Sequence, residues 1–173
     1  MTKMLPYSYW IAVVLALAFI GLMFLFLAPK AGASLEKPAD YVRVCGGRLD
    51  NEMLRVTIVG KENWDGLSIG RSGERGKYQL TRGVWKSYST EPFWWASSPE
   101  VLHREETERV ATAHIAWCRA AVCNLGLKES PYSFALVWNA GYGTVFYGRI
   151  TSAQRQYAEY FENLYYDRVQ RGL

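Results

Sequence analysis

An uncharged stretch at residues 10–28 limits what this chain can fold into more than any other feature. As an α-helix it extends about 28 Å, which matches the hydrocarbon core of a bilayer. No second stretch of this kind occurs in the sequence, so a multi-pass membrane protein is excluded. The chain has 50% hydrophobic residues but a mean hydropathy of only -0.12, because this stretch holds much of the apolar total. We therefore expect an N-terminal helical segment at residues 1–33, a polar linker at 34–48 and one folded domain at 49–173.

Two roles are open for the N-terminal segment: a membrane anchor or a signal peptide. Its apolar length exceeds that of a usual signal peptide, which favours an anchor. Lys3 before it fits the basic start of a signal peptide, and the small residues at 31–33 fit a cleavage site. Either role places the domain on the extracytoplasmic side of the cell envelope, as a single-pass membrane protein or as a protein secreted after cleavage near Ala33. Basic residues between positions 30 and 43 favour the opposite orientation, but large domains translocate largely regardless of charge.

Charge, cysteines and histidines exclude several classes of function. A net charge of +4 without a basic stripe is too small for a nucleic-acid-binding protein. Cys45, Cys118 and Cys123 are odd in number and match no zinc spacing. They form either one disulfide from Cys45 to one of the others or three buried thiols. His103 and His114 stand about three turns apart on one predicted helix, so they cannot share a metal ion. We expect no metal, no cofactor and no nucleic-acid partner.

The spacing of apolar residues predicts a mainly α domain, with several helices of unequal length around one core. Four glycines within residues 63–76 predict a loop or a small hairpin there. The predicted helices cover residues 49–61 with Gly60 marking the end, 76–89, 99–125 with Ser98 as the cap, 130–140 ending at Gly141, and 151–169.

Glu62 is the acidic residue most suggestive of catalysis, because it stands at the end of an apolar helix and before a glycine-rich segment that contains Trp64. A carboxyl group on the floor of a cleft can act as a general acid and base. The sequence has no Walker loop, no HExxH motif and no nucleophile elbow. Taken alone, however, a glutamate at a helix end is more typical of a solvated surface position.

Three sequence blocks resemble, in order and spacing, the motif blocks of soluble lytic transglycosylases. They are Glu62-Asn63, the tetrapeptide Gly-Lys-Tyr-Gln at residues 76–79, and Val-Trp-Asn-Ala-Gly at residues 137–141. In that family the blocks are Glu-Ser, Gly-Leu-Met-Gln and Ala-Tyr-Asn-Ala-Gly. Tyr157 also looks like the tyrosine of the family's final helix. The resemblance covers about residues 50 to 165.

The resemblance implies a lysozyme-like helical domain that cleaves the β-1,4 bond between N-acetylmuramic acid and N-acetylglucosamine in peptidoglycan. Glu62 would protonate the glycosidic oxygen and then take the proton of the muramoyl C6 hydroxyl, which closes a 1,6-anhydro ring without water. One carboxylate suffices if the substrate's acetamido group stabilises the positive centre. The implied partners are peptidoglycan glycan strands, the membrane through the N-terminal segment and, by analogy, an envelope-spanning machine.

The family positions also imply a set of substrate-binding residues. Gln79 and Asn139 would bind the acetamido groups or the sugar backbone, and Tyr157 would orient Glu62 or the substrate. Aromatic rings suit the apolar faces of sugars, and rings are present at these blocks. The full substrate-binding set is Asn63, Trp64, Tyr78, Gln79, Trp138, Asn139 and Tyr157.

This chain departs from the family pattern at four positions. Asn63 replaces the serine and keeps a hydrogen-bonding side chain, while Trp138 replaces the tyrosine and keeps a ring. Lys77 and Tyr78 replace leucine and methionine; Lys77 either faces solvent or meets the peptide carboxylates of the substrate. The alternatives are therefore a lysozyme-type glycoside hydrolase, or a catalytically inactive, membrane-anchored protein that binds peptidoglycan as a scaffold.

Other aromatic residues have packing or surface roles in this interpretation. Trp85, Trp117 and Phe161 are expected in the core. Residues 93–95, Phe-Trp-Trp, form an exposed aromatic cluster after Pro92 that either binds glycan or closes the edge of the domain.

Overall fold

The computed structural model describes residues 49–62 and 66–173. In this part of the chain 68% of the residues are helical and no strand occurs, so the prediction of a mainly α domain is confirmed. The helices are α1 (Asn51–Glu62), α2 (Arg82–Tyr88), a 3-10 helix (Phe93–Ser97), α3 (Val101–Asn124), α4 (Pro131–Ala140), α5 (Tyr142–Phe146) and α6 (Ser152–Arg171). The predicted segment at 1–33 and linker at 34–48 lie outside the described residues. No helix of the described part is long and apolar enough to cross a membrane.

Helix α4 lies at the centre of the domain, where it packs against α3 and α6. Its sequence is almost entirely apolar, and Phe134 and Val137 are fully buried. Ser130 and Ser133 fix its start through a reciprocal capping box. Helix α1 packs against α3 and α6 and buries Ile58. Each such fully buried apolar side chain contributes about 1.5–3 kcal/mol to the free energy of folding.

The first and last predicted helices differ from the structure at their ends. Gly60 does not end α1, which continues to Glu62, because a single glycine inside a helix costs only about 1 kcal/mol. Helix α6 begins after Thr151, whose hydroxyl accepts from the backbone N–H of Gln154 at 3.3 Å. It continues past the predicted end to Arg171.

Two predicted helix starts were also wrong. The second helix begins only at Arg82, because Thr81 caps it and residues 76–80 turn before it. The long helix α3 begins at Val101. Ser98 does not cap α3; its hydroxyl instead lies 2.7 Å from Nδ1 of His103.

Residues 66–80, named here the glycine-rich loop, connect α1 to α2. Isolated antiparallel bridges join Arg75 to Ile69 and to Leu80. Gly76 has a φ of 70°, and its N–H donates to the carbonyl oxygen of Ser68 at 3.0 Å. A Cβ atom at Gly76 would stand 1.8 Å from the carbonyl oxygen of Ala96. The loop therefore packs backbone to backbone against the 3-10 helix.

The aromatic residues follow the expectations in part. Trp85 and Phe161 are buried in the core, as predicted, and Trp117 is partly buried against it. Trp94 is 50% exposed, but Trp95 is partly buried and stacks on His103 at a ring separation of 3.9 Å. Within the cluster at residues 93–95, only Trp94 is therefore exposed.

Candidate active site around Glu62

A hydrogen bond joins the end of α1 to α6. The hydroxyl of Tyr157 donates to Oε1 of Glu62 at 2.8 Å, across 95 residues of sequence. Burial, then the nearby charge of Glu62 and this hydrogen bond, raise the pKa of Tyr157 far above its ordinary value. The phenol therefore stays protonated and acts as a donor to the carboxyl group. Oε2 of Glu62 makes no hydrogen bond to any described residue.

A lysine and a second tyrosine surround this pair. The ammonium nitrogen of Lys61 lies 4.5 Å from the ring centroid of Tyr157 and 5.2 Å from that of Tyr160. Tyr160 is an exposed side chain. Both residues were missed from the sequence, although Tyr160 follows Tyr157 by three positions and so shares its face of α6.

A row of packed aromatic rings connects Tyr157 to Trp138 through the core. The ring centroids of Tyr157 and Phe161 are 6.4 Å apart, those of Phe161 and Phe134 5.8 Å, and those of Phe134 and Trp138 6.0 Å. Trp138 is partly buried, whereas its neighbour Asn139 is exposed. Helix α4 thus places Trp138 of the third motif block at the end of an aromatic row that begins at Tyr157, the partner of Glu62.

Gln79 has the one positive φ found at a non-glycine residue in the described ranges, at 48°. Its side-chain Nε2 donates to the carbonyl oxygen of Gly76 at 2.8 Å. Its backbone N–H donates to the same oxygen at 3.0 Å. A positive φ at such a residue is uncommon and often marks a functional segment. The amide keeps its second N–H and its carbonyl oxygen for a ligand.

The structure corrects the expected role of Tyr78. This side chain has 0% exposure, and its hydroxyl donates to Oε2 of Glu108 at 2.5 Å and accepts from Arg55 at 3.1 Å. Burial, with the Glu108 hydrogen bond, raises the pKa of Tyr78 well above its ordinary value. A ring enclosed in this way cannot stack on a sugar, so the assignment of Tyr78 to the cleft was wrong.

The carboxylate of Glu108 contacts three side chains from different parts of the fold. Lys77 and Arg55 form ion pairs with it, in addition to the hydrogen bond from Tyr78. Burial acts to raise the pKa of Glu108, but the hydrogen bonds from Lys77 and Tyr78 and the two positive charges outweigh it and lower that pKa. The alternative that Lys77 simply faces solvent is therefore wrong, because its ammonium is paired.

The structure brings together only part of the predicted site. Glu62 and Tyr157 are in direct contact, and Trp138 is linked to them through two rings. Gln79 and Asn139 make no hydrogen bond to Glu62 within the described ranges. The remaining predicted residues, Asn63 and Trp64, lie outside the described residues.

The cysteines are of two kinds. Cys123 is disulfide-bonded, whereas Cys118 is free and buried. Burial raises the pKa of the Cys118 thiol far above its ordinary value, so this thiol is chemically inert. Cys45 lies outside the described residues. Across residues 49–62 and 66–173, no three His, Cys, Asp or Glu side chains are grouped closely enough to hold a metal ion.

Comparisons with protein-family models, with curated proteins and with solved structures give no match for this chain. The contacts of the site residues therefore carry the functional inference.

Proposed function

We propose that this chain is a peptidoglycan lytic transglycosylase with a lysozyme-like domain and with Glu62 as its general acid and base. The observation that carries the proposal is the 2.8 Å hydrogen bond from Tyr157 to Glu62. The sequence resemblance assigned these two residues to one site although 95 positions separate them. A direct hydrogen bond between them supports the assignment of both residues to one site.

In the first step the proton on Oε2 of Glu62 passes to the glycosidic oxygen, and the bond from C1 of the muramoyl residue to that oxygen breaks. Tyr157 supports this step by donating to Oε1, which fixes the plane of the carboxyl group and leaves Oε2 free. The substrate's own acetamido group stabilises the positive charge that develops at C1, so a second carboxylate is not needed.

In the second step the muramoyl C6 hydroxyl attacks C1, and its proton passes to the Glu62 carboxylate. A C1–O6 bond replaces the broken C1–O4 bond, and Glu62 regains the proton that it gave. No water is consumed. The phenol of Tyr157 stays protonated throughout because its pKa is raised, so it donates to the carboxyl group in both protonation states.

Substrate binding is proposed for residues of the second and third motif blocks. Exposed Asn139 and the free groups of the Gln79 amide suit hydrogen bonds to acetamido groups. The partly buried ring of Trp138 suits the apolar face of a sugar. Asn63 and Trp64 stay in the proposed set on the basis of the resemblance, and Tyr78 is removed from it.

We also propose that the domain works in the cell envelope, next to its peptidoglycan substrate. The disulfide at Cys123 supports this location, because disulfides persist in oxidising compartments and are rare in the cytosol. Residues 1–33 would act as the membrane anchor, or as a signal peptide cleaved near Ala33. A mass measurement of the mature N-terminus distinguishes the two, and a reduced Cys123 in the purified protein would contradict the location.

Replacing the catalytic carboxyl group tests the function directly. We expect Glu62→Gln to lower the release of anhydro-muropeptides from purified sacculi about a hundredfold to ten-thousandfold, the usual contribution of a general acid. Glu159→Gln is the matched control, because Glu159 is an exposed glutamate on α6. Mass analysis of the fragments identifies the product.

Each outcome separates the candidate functions. Unchanged release by Glu62→Gln would refute the assignment of Glu62. Products with free reducing ends would point to the lysozyme-type hydrolase, since that reaction consumes water. Binding of sacculi without any turnover by the wild type would point to the inactive scaffold protein.

A further inference from the structure

A cavity of about 340 Å³ lies between the glycine-rich loop and the start of α3. This volume is at the lower end of the range for small-ligand sites. Apolar walls come from Leu67, Ala96 and Pro99. Lys77 and Arg104 supply the charged part of the lining.

The charges around this cavity leave it positive. Lys77 uses one of its three N–H donors on Glu108. Arg104 is exposed and makes no ion pair or side-chain hydrogen bond with any described residue. Among the described residues that line the cavity, the charged side chains are Lys77 and Arg104, and both are cations.

The hydroxyl groups of the lining are already engaged. Ser98 Oγ lies 2.7 Å from Nδ1 of His103, and the Thr107 hydroxyl donates to the carbonyl oxygen of His103 at 2.8 Å. These contacts hold the wall in place. Recognition of a ligand therefore falls to the two cations, and the apolar walls favour a ligand whose acidic group is flanked by short aliphatic side chains.

We propose that this cavity binds a carboxylate of the stem peptide attached to the glycan strand. The inference rests on the proposed function, because it makes the cavity part of the same substrate-binding surface. Once the lactyl group of the muramoyl residue is amide-linked to the peptide, the sugars of the strand carry no carboxylate. An acidic group that reaches the cavity then comes from the peptide.

The distance from the catalytic carboxyl group fits a peptide of this kind. Gly66 follows Glu62 by four residues, so their Cα atoms are at most about 14 Å apart. An extended peptide of four or five residues spans about 14–17 Å. A stem peptide that begins at the muramoyl residue beside Glu62 is therefore long enough to reach the edge of the cavity that Gly66 lines.

The experiment compares two soluble probes on the full chain. One probe is a disaccharide-peptide fragment of peptidoglycan with free carboxylates, and the other is the same fragment with its carboxylates amidated. The chain carries Glu62→Gln so that neither probe is cleaved, and calorimetry measures the dissociation constants. We expect the free-carboxylate probe to bind about tenfold more tightly, as for one charge-assisted contact.

Arg104→Gln locates the effect in the cavity. We expect it to weaken the free-carboxylate probe about tenfold and to leave the amidated probe unchanged. Arg104 has no ion-pair or side-chain hydrogen-bond partner among the described residues to lose, so this variant is expected to fold normally. Lys86→Gln is the matched control, because Lys86 is an exposed cation on α2 that does not line the cavity. Lys77→Met is the second variant, with thermal unfolding measured alongside because it also breaks the Glu108 ion pair.

Equal affinities for the two probes, or equal effects of Arg104→Gln on both, would overturn the inference. Such a result combined with Glu62-dependent cleavage of sacculi leaves the proposed function standing and removes only the cavity's role. A carboxylate preference that depends on Arg104 in a chain that cleaves nothing supports the cavity as a peptide site and refutes the proposed activity. The two failures are therefore distinguishable.

Discussion

At the scale of single residues, the site consists of one carboxyl group held by one phenol. The ring and the hydroxyl of Tyr157 make separate contacts. Its ring packs on that of Phe161 with a centroid separation of 6.4 Å, and its hydroxyl donates a hydrogen bond to Glu62 at 2.8 Å. These roles are separable by mutation, because phenylalanine keeps the ring and removes only the donor.

We expect Tyr157→Phe to lower kcat about tenfold to a thousandfold with little change in KM. The lost hydrogen bond orients the carboxyl group during the reaction, and removal of one such preorganised contact has effects of up to this size. Steady-state kinetics on a soluble peptidoglycan fragment gives the split between kcat and KM. Thermal unfolding of the same variant checks that the ring packing is intact.

Tyr160→Phe is the control for this prediction, because Tyr160 lies on the same helix and its hydroxyl makes no hydrogen bond within the described ranges. Its kcat should match that of the wild type. Equal losses of kcat in the two variants, or a change confined to KM, would show that the hydroxyl of Tyr157 does not act through Glu62.

The sequence resemblance predicted that Glu62 and Tyr157 lie together, as they do in the structure, but it misplaced Tyr78. All three were assigned to the site by their positions in motif blocks. The partner that encloses Tyr78 is Glu108, which is 30 positions away. No local pattern reports such a contact, because side-chain direction in an irregular loop depends on which distant groups pack against it. For the same reason, the sequence did not predict that Arg104 lines a cavity.

At the scale of elements, the helices of ten or more residues were predicted nearly in full. The shorter helix α2 was predicted with its start at residue 76 instead of Arg82. Helices α1, α3, α4 and α6 were all expected, with ends that shifted by one or two residues. The 3-10 helix at Phe93–Ser97 and helix α5 at Tyr142–Phe146 were missed. Each has only five residues, so neither completes enough turns to show a period. Their formation depends on packing against neighbours.

The glycine-rich loop depends on the absence of a side chain at Gly76. Its φ of 70° is unfavourable for other residues, and an added Cβ would stand 1.8 Å from the carbonyl oxygen of Ala96. We expect Gly76→Ala to lower the free energy of unfolding by about 3 kcal/mol or more, since the collision is with backbone that cannot rotate away. Chemical denaturation of the full chain measures the change.

The variant Gly73→Ala separates the cost of the positive φ from the cost of the collision with Ala96. Gly73 also has a positive φ, of 87°, but nothing lies within 4 Å of its added Cβ. Gly73→Ala should therefore lower the free energy of unfolding by only about 1–2 kcal/mol, the cost of the left-handed backbone conformation. Because Gln79 bonds twice to the Gly76 carbonyl oxygen, Gly76→Ala should also reduce activity more than Gly73→Ala does. Equal destabilisation by the two substitutions would contradict the close approach to Ala96.

At the scale of the whole molecule, buried titratable groups link the stability of the domain to pH. Helix α3 carries most of them. Glu106 and Glu108 have lowered pKa values, with the hydrogen bonds of Arg109 the largest cause for Glu106 and those of Lys77 and Tyr78 outweighing burial for Glu108. Their stabilisation is present above the ordinary carboxyl pKa of 4.5 and is lost as the pH falls below it.

His114 acts in a higher pH range than these carboxylates. Its ring lies between those of Trp117 and Trp138, at 5.5 Å and 5.0 Å, and its Nδ1 is buried without a hydrogen-bond partner. Burial lowers the pKa of His114 from 6.5 to about 4. Between these values the unfolded chain binds a proton that the folded chain does not, so the stability falls as the pH falls.

We therefore expect the free energy of unfolding to fall by about 1.4 kcal/mol per pH unit below pH 6.5, before the carboxylates contribute. Denaturation of the full chain at a series of pH values measures this slope. His114→Phe removes this titration and keeps an aromatic ring at the position, so the part of the slope that His114 causes between pH 6.5 and about pH 5 should be lost. His103→Phe, which removes the other histidine of the chain, separates the effect of His114 from that of histidine loss in general. A wild-type slope that His114→Phe leaves unchanged would contradict the proposal that His114 is the group protonated on unfolding.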